Sequence, residues 1–374
     1  MTAMHAAGAT GTAADVAGSW VEHLRAGGTT PWRSWRESHP AGPAPVPPVV
    51  PGAQQLELLR RCNLAGPVPA PLATRVLEAS APGRGRPDLQ LEGAAERLAF
   101  GPPPVDPADL PDDELIRVAA GLLAEDVVAD GLPDPHHVPG ARWFRTRYRV
   151  TGDPLLAAAA RRDLTRRGRP PGGRGAVVLV LGADLGQLLA DVWTDRCLAD
   201  GAPAWSDWVD RLARRGPLPP RADLAHTAAS WAARVGRDRV HVVLDPAAAP
   251  RLVGVRRALA TPTPLSADAT ELSRRVGQVL GLLAVPPARA DLLEHTLRPR
   301  LAAVGGAPLT LPARHQRWAR LRAVRVQKAL LRAGYPVHGD PDRLLPVLRD
   351  GVEQPDDAGV LQLAMRLLLE KRSE

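Results

Sequence analysis

The chain has 374 residues, 45% of them hydrophobic and 24% charged, with a formal net charge of +8. That length suits two domains or one large domain with an appendage, and no apolar run reaches the roughly 18 residues that a membrane-spanning helix needs. The first eighteen residues lack a basic start followed by an apolar core, so they do not read as a signal peptide, and a cytoplasmic protein with no membrane partner is expected.

The positive charge permits a nucleic-acid or phosphate-rich partner. Nearly all of it is Arg, because Lys328 and Lys371 are the only two lysines. Arg, Ala, Pro and Gly share GC-rich codons, so part of the Arg load reads as mutational background. No helix-turn-helix, zinc-finger or RNA-binding signature accompanies it, which weighs against nucleic acid. Cys62 and Cys197 have no Cys or His partner at metal-ligand spacing, so no metal and no cofactor is expected, and both thiols read as structural.

In chain order, residues 13–26 read as a helix with Val16, Trp20, Val21 and Leu24 on one face. Gly27-Gly28 stops it, and Thr30-Pro31 begins the next helical turn, with Trp32 and Trp35 packing. A Pro-rich stretch at 40–52 is extended. Helices follow at 53–62 and 71–80, and a third begins at Pro111 with acidic residues in its first turn. The pattern changes near residue 142. "RWFRTRYRV" reads as a strand, "PLLAAAARRDLTRRG" as a helix and "AVVLVL" as a strand buried on both faces, a unit that should cross over right-handed. Helices begin near 183, 205 and 221, and "DRVHVVLDP" is a further buried strand. Helices are then expected at 247–259, 266–283, 287–303, 312–334, 341–350 and 356–371, with an edge strand at Tyr335–His338. The expected organisation is a helical, Pro-rich region over 1–140, an α/β domain over 141–350 and a C-terminal helix over 351–374.

In the second half the strand "AVVLVLG" is followed by Ala183-Asp184-Leu185 and Trp193, then by "AWSDWVDRLA", "SWAARVGRDRVHVVLDP" and "ELSRRVG" at 271–277, and the series ends on "LPARHQRWARLRAVRVQKALLRAGYPVHGDPDRLLP". The order of these pieces, over about residues 142–347, resembles a family of actinobacterial sulfotransferase-like proteins. The resemblance implies an α/β fold with a small, mostly parallel sheet of P-loop or sulfotransferase type among many helices. It also implies transfer of sulfate from 3′-phosphoadenosine-5′-phosphosulfate.

Both donor-binding anchors of that family are replaced. Ala183 stands where an Arg would help to hold the donor's 3′-phosphate. The loop after the first strand should read PK-[ST]-G-[ST]-T, and here it is Thr151-Gly152-Asp153-Pro154. A carboxylate about 4 Å from a phosphate charge costs about 4 kcal/mol at an effective dielectric of about 20. The stretch Gly27–Trp32, "GGTTPW", has a similar composition but follows a helix and lacks the Lys. The expectation is a non-catalytic sulfotransferase-like partner or scaffold, of polysaccharide or secondary-metabolite modification, with a protein partner. The alternatives are a transferase with altered donor binding and an Arg-driven nucleic-acid binder.

Asp153 and Asp245 are the candidate catalytic carboxylates, since both follow strands in an α/β pattern. Asp153 reads first as a helix N-cap, since Asp before Pro before a helix is a common helix start. Arg145, Arg147 and Arg149 alternate onto one strand face and are the candidate anion-binding group for a phosphate- or sulfate-bearing small molecule. Arg161, Arg162, Arg166, Arg167, Arg169 and Arg174 extend this basic zone. His136 and His137 read as loop residues, His241 as a core residue, and Trp193, Trp208, Trp231 and Trp318 as packing.

Overall fold

The computed structural model describes residues 13–39, 50–80, 87–94, 101–134, 147–172, 176–199 and 201–370. Contacts divide the chain into two units. One is Met1–Gly131 with Arg275–Val285 and Asp356–Glu374; the other is Leu132–Arg274 with Pro286–Pro355. The N-terminal helical region therefore shares its unit with the C-terminal helix and with one helical piece of the second half.

The first unit contains helices α1 (Ala13–Arg25), α2 (Trp32–Ser38), α3 (Ala53–Ala65), α4 (Ala70–Glu78) and α5 (Asp112–Asp130). Leu115, Ile116, Ala119, Leu122, Leu123 and Val127 bury α5 nearly all round. Gly27 and Gly28 end α1, and the indole N–H of Trp20 donates to the Thr30 carbonyl at 2.9 Å. Trp32 is buried 5.1 Å from Trp20, centroid to centroid. "GGTTPW" is thus a helix stop pinned by a tryptophan. In this unit Glu57 is buried and receives Arg60 at 2.7 Å and Arg61 at 2.9 Å, so its charge is matched where water cannot reach it.

The second unit holds four short strands, β1 (Tyr148–Gly152), β2 (Val177–Leu181), β3 (Val240–Val243) and β4 (Val337–His338). They form one all-parallel sheet in the order β1-β2-β3-β4. Its helices are α6 (Pro154–Arg166), α7 (Leu185–Leu198), α8 (Trp205–Arg215), α9 (Leu224–Val235) and α10 (Ala249–Leu252). After α11 (Ala267–Leu283), which is in the second unit up to Arg274 and in the first from Arg275, come α12 (Pro286–Leu292), α13 (Arg298–Val304) and α14 (Gln316–Ala333). A π-helical turn at Leu293–Leu297 joins α12 to α13, and α15 (Asp357–Leu369) lies in the first unit. The protein is α/β.

Strand alternation splits the core in two. Tyr148, Val150, Leu179, Leu181 and Val243 pack on α6 and on the 249–259 segment. Val178, Val180, Val240 and Val242 pack on α7, α9 and α14. The crossovers β1-to-β2 and β2-to-β3 step the same way across the sheet but lie on opposite faces. They therefore have opposite hands, and only one of them can be right-handed.

Two expected helices are shorter than their sequences suggested. The 247–259 segment is helical only over α10, because the Val255 N–H bonds to the Pro250 carbonyl and closes the helix end. The 341–350 segment is a single 3-10 turn at Pro341–Leu344, and Pro346 has no N–H to continue it. The first strand was expected over 142–150 and is found at Tyr148–Gly152; residues 142–146 lie outside the described residues, as do His136 and His137. Trp193 and Trp208 are buried as expected, and Trp231 and Trp318 are half-buried. No helix among the described residues is long and apolar enough to cross a membrane.

Candidate functional site

All four strands of the parallel sheet run into an Asp within three residues. The carboxyl end of such a sheet is where α/β proteins bind ligands. Asp153 accepts the N–H groups of Leu155 and Leu156 at 3.0 and 2.9 Å. Asp184 accepts that of Gln187 at 3.2 Å, Asp245 that of Ala247 at 3.2 Å, and Asp340 that of Asp342 at 2.9 Å. Each carboxylate satisfies backbone donors left over at a helix or turn start, and each puts negative charge at the positive end of a dipole.

The loop after β1 is therefore occupied by its own side chain. Asp153 has no exposed surface, Pro154 has no N–H, and the next two N–H groups are bonded to Asp153. An anion could be cradled there only by displacing the carboxylate. Beside it, between Leu156, Leu181, Gly182, Val243, Pro246 and Leu259, the crevice is about 30 Å³ and apolar. That is room for about one water, whereas small-molecule pockets run from about 300 Å³ upward.

Behind Asp153 lies a polar relay along α7. Asp191 is buried, and its carboxyl interacts with that of Asp153 by charge. The Gln187 amide donates to Asp191 at 2.7 Å, and Arg349 donates to Gln187 at 2.6 Å. Arg349 also pairs with Asp184 at 2.5 Å. Burial, followed by the neighbouring Asp153 charge, pushes the Asp191 carboxyl well up from its usual range. Burial also raises Asp153, opposed by the hydrogen bonds it accepts from Leu156, Asp191 and Leu155, while the Asp195 charge adds to the rise. Of the two, Asp191 is pushed further toward its protonated form. Asp184, Gln187 and Arg349 line a cavity of about 150 Å³, closed on its other side by Leu311, Gln316 and Glu353.

The candidate residues do not converge. Asp245 is partly exposed at the end of β3, 3.3 Å from Arg343. Arg145 lies outside the described residues. Arg147 is exposed just before β1, at the strand's amino end, and Arg149 on β1 sits 5.3 Å over the Trp231 ring, which Arg234 also approaches at 5.3 Å. His241 does not point into a helix: its Nδ1 is 2.9 Å from Nε2 of His338, with the two rings stacked across β3 and β4. Asp191, Gln187 and Arg349 are the site residues that sequence reasoning missed. The signal for Asp191 and Gln187 was a polar stripe with Asp184 at helical spacing, on the face of α7 that is otherwise buried. Among the described residues no group of three or more His, Cys, Asp or Glu could hold a metal ion. Cys62 and Cys197 are buried free thiols, and burial raises Cys62 to about 12.

No protein-family model, no curated protein and no solved structure matches this chain.

Proposed function

We propose that the protein is a sulfotransferase-like chain of P-loop type that has given up the family's sulfate donor and acts as a non-catalytic partner or scaffold. The observation that carries this reading is Asp153. Its carboxylate takes the N–H groups at the start of α6 that a donor phosphate would need. Ala183 in place of an anchoring Arg supports the reading from β2, and the closed crevice of about 30 Å³ supports it from the sheet end. The partner would be a protein acting in polysaccharide or secondary-metabolite modification.

Amide hydrogen exchange tests this locally. Residues 152–157 are followed with and without millimolar adenosine 3′,5′-bisphosphate, and turnover of 3′-phosphoadenosine-5′-phosphosulfate is measured in parallel. The expected result is unchanged exchange at these amides and no turnover. New protection at Leu155 and Leu156, or release of the bisphosphate, would overturn the reading.

A further inference from the structure

The densest basic zone of the sequence is sorted by the fold into bonded and free guanidinium groups. Arg167 pairs with Asp163 at 2.5 Å and donates to the Ala258 carbonyl at 2.8 Å. Arg169 donates to the Gly254 carbonyl at 2.6 Å. These two fasten the segment after α10 onto α6. Arg162 is held by Glu294, which also receives Arg298 at 2.8 Å. Arg161 has no ion pair among the described residues, and Arg166 has only a 4.0 Å contact with Asp163, whose oxygens already serve Arg167 and the Ala260 N–H. Arg161 and Arg166 are exposed.

These free groups face a groove. Arg161, Arg162, Thr165 and Arg166 lie at i, i+1, i+4 and i+5 on α6 and form one stripe along its wall. The loop with Thr261 and Thr263 forms the second wall, and His295 with Asp291 the third; the groove encloses about 800 Å³. His295 lies within the π-helical turn, an irregularity that re-aims side chains and recurs at binding sites.

We infer that this groove binds a phosphate monoester of a small hydroxyl-bearing molecule such as a sugar. Arg161, with no ion pair among the described residues, and Arg166, with only its 4.0 Å contact to Asp163, supply two positive charges, which match a dianion, and a guanidinium can grip two phosphate oxygens at once. Thr165, Thr261 and Thr263 add hydroxyl donors. Asp134 and Asp291, in the same groove, repel a bare polyanion but accept hydroxyl protons, which favours a ligand that is anionic at one end only. The volume lies in the range of small-molecule sites. The groove does not include Asp153, so this inference stands apart from the proposal on the sulfate donor.

Calorimetry at 150 mM salt tests it (about physiological ionic strength). The probes are glucose 6-phosphate, ribose 5-phosphate, methyl sulfate and a short DNA duplex. The expected result is sub-millimolar binding of at least one sugar phosphate, tighter than methyl sulfate. R161Q and R166Q should each weaken it about tenfold or more, the scale of one charge-assisted contact. R320Q, which removes an exposed charge on α14, should leave it unchanged. The inference is overturned by no sugar-phosphate binding at millimolar concentration, by equal losses in R320Q, by binding that ignores Arg161 and Arg166, or by tighter binding of duplex DNA.

Discussion

Asp191 and Asp153 are both buried beneath the carboxyl end of the sheet, and burial pushes both carboxyls up, Asp191 the further because the Asp153 charge adds to it. Both carboxyls hold protons more tightly in the fold than in the unfolded chain, where Asp titrates at about 3.9. As pH rises above that value the unfolded chain loses protons that the fold retains. The pair therefore destabilises the fold with rising pH, until Asp191 ionises in the native state as well. The charges that face the pair are Asp195, which strengthens the effect, and Arg349, which weakens it.

Asp191→Asn reduces this pH dependence to the part that Asp153 contributes. The amide is neutral at every pH and can donate to Asp153 without taking up a proton, and its oxygen still accepts from Gln187. Urea unfolding at pH 5 and pH 8 should show a smaller difference than in the parent chain. At pH 8 the variant should be more stable by about 1 kcal/mol, the scale of one hydrogen bond. A variant less stable than the parent at pH 8 would show that Asp191 is not protonated.

Asp153→Ala removes the acceptor for two backbone N–H groups and leaves Asp191 without its partner. Loss of an N-cap and stranding of a buried polar group together cost about 2–3 kcal/mol. Asp153→Asn still caps the helix and should cost less than half of that. Chemical denaturation of the two variants checks the ratio; equal losses would mean that the cap contributes little.

The sheet was legible where its strands are continuous apolar runs. "AVVLVL" and "VHVV" have one reading, because a run buried on both faces leaves few alternatives. Asp153 was legible both as a cap and as a base, and its geometry favours the cap: it is fully enclosed and its Oδ1 takes both N–H groups. Its pairing with Asp191 was not legible, since 38 residues separate the two and only the meeting of α6 with α7 joins them. The hand of the crossovers was hidden for the same reason. Periodicity gives the buried face of a helix, and it does not say which side of the sheet that face covers. The basic zone shows the limit most plainly. Arg161, Arg166, Arg167 and Arg169 look alike in sequence, and it is the carbonyls of Gly254 and Ala258 and the close pairing with Asp163 that set Arg167 and Arg169 apart.

His241 and His338 give a second, opposite pH dependence. Burial lowers the His241 pKa, and the charge on His338 lowers it further. An unfolded histidine titrates at about 6.5, so below that pH the unfolded chain takes up a proton that the folded His241 refuses. Stability contributed at this pair is full above about pH 6.5 and declines as pH falls toward the folded value. His338→Gln removes the repulsion and leaves the burial. In an NMR titration the His241 midpoint should rise in this variant and remain below the free value. A midpoint that does not move would mean that the rings are not coupled.

Gly152 is the backbone hinge that brings Asp153 under the sheet. Its φ is +95°, and a Cβ added there would lie 2.1 Å from the Leu181 carbonyl oxygen and 2.8 Å from the Leu181 nitrogen. That oxygen already accepts the Asp153 N–H at 2.9 Å, so it cannot retreat without breaking the strand pairing. Gly236, with φ +90° and open space around it, separates the two costs. Gly236→Ala should lose about 1–2 kcal/mol from left-handed strain alone. Gly152→Ala carries the same strain plus a backbone overlap that only a shift of β1 or β2 relieves. It should lose at least about 3 kcal/mol or fail to fold, at the upper end of single-residue effects. Thermal unfolding of the two variants side by side measures the difference, and similar midpoints would show that β1 and β2 are not held together at Leu181.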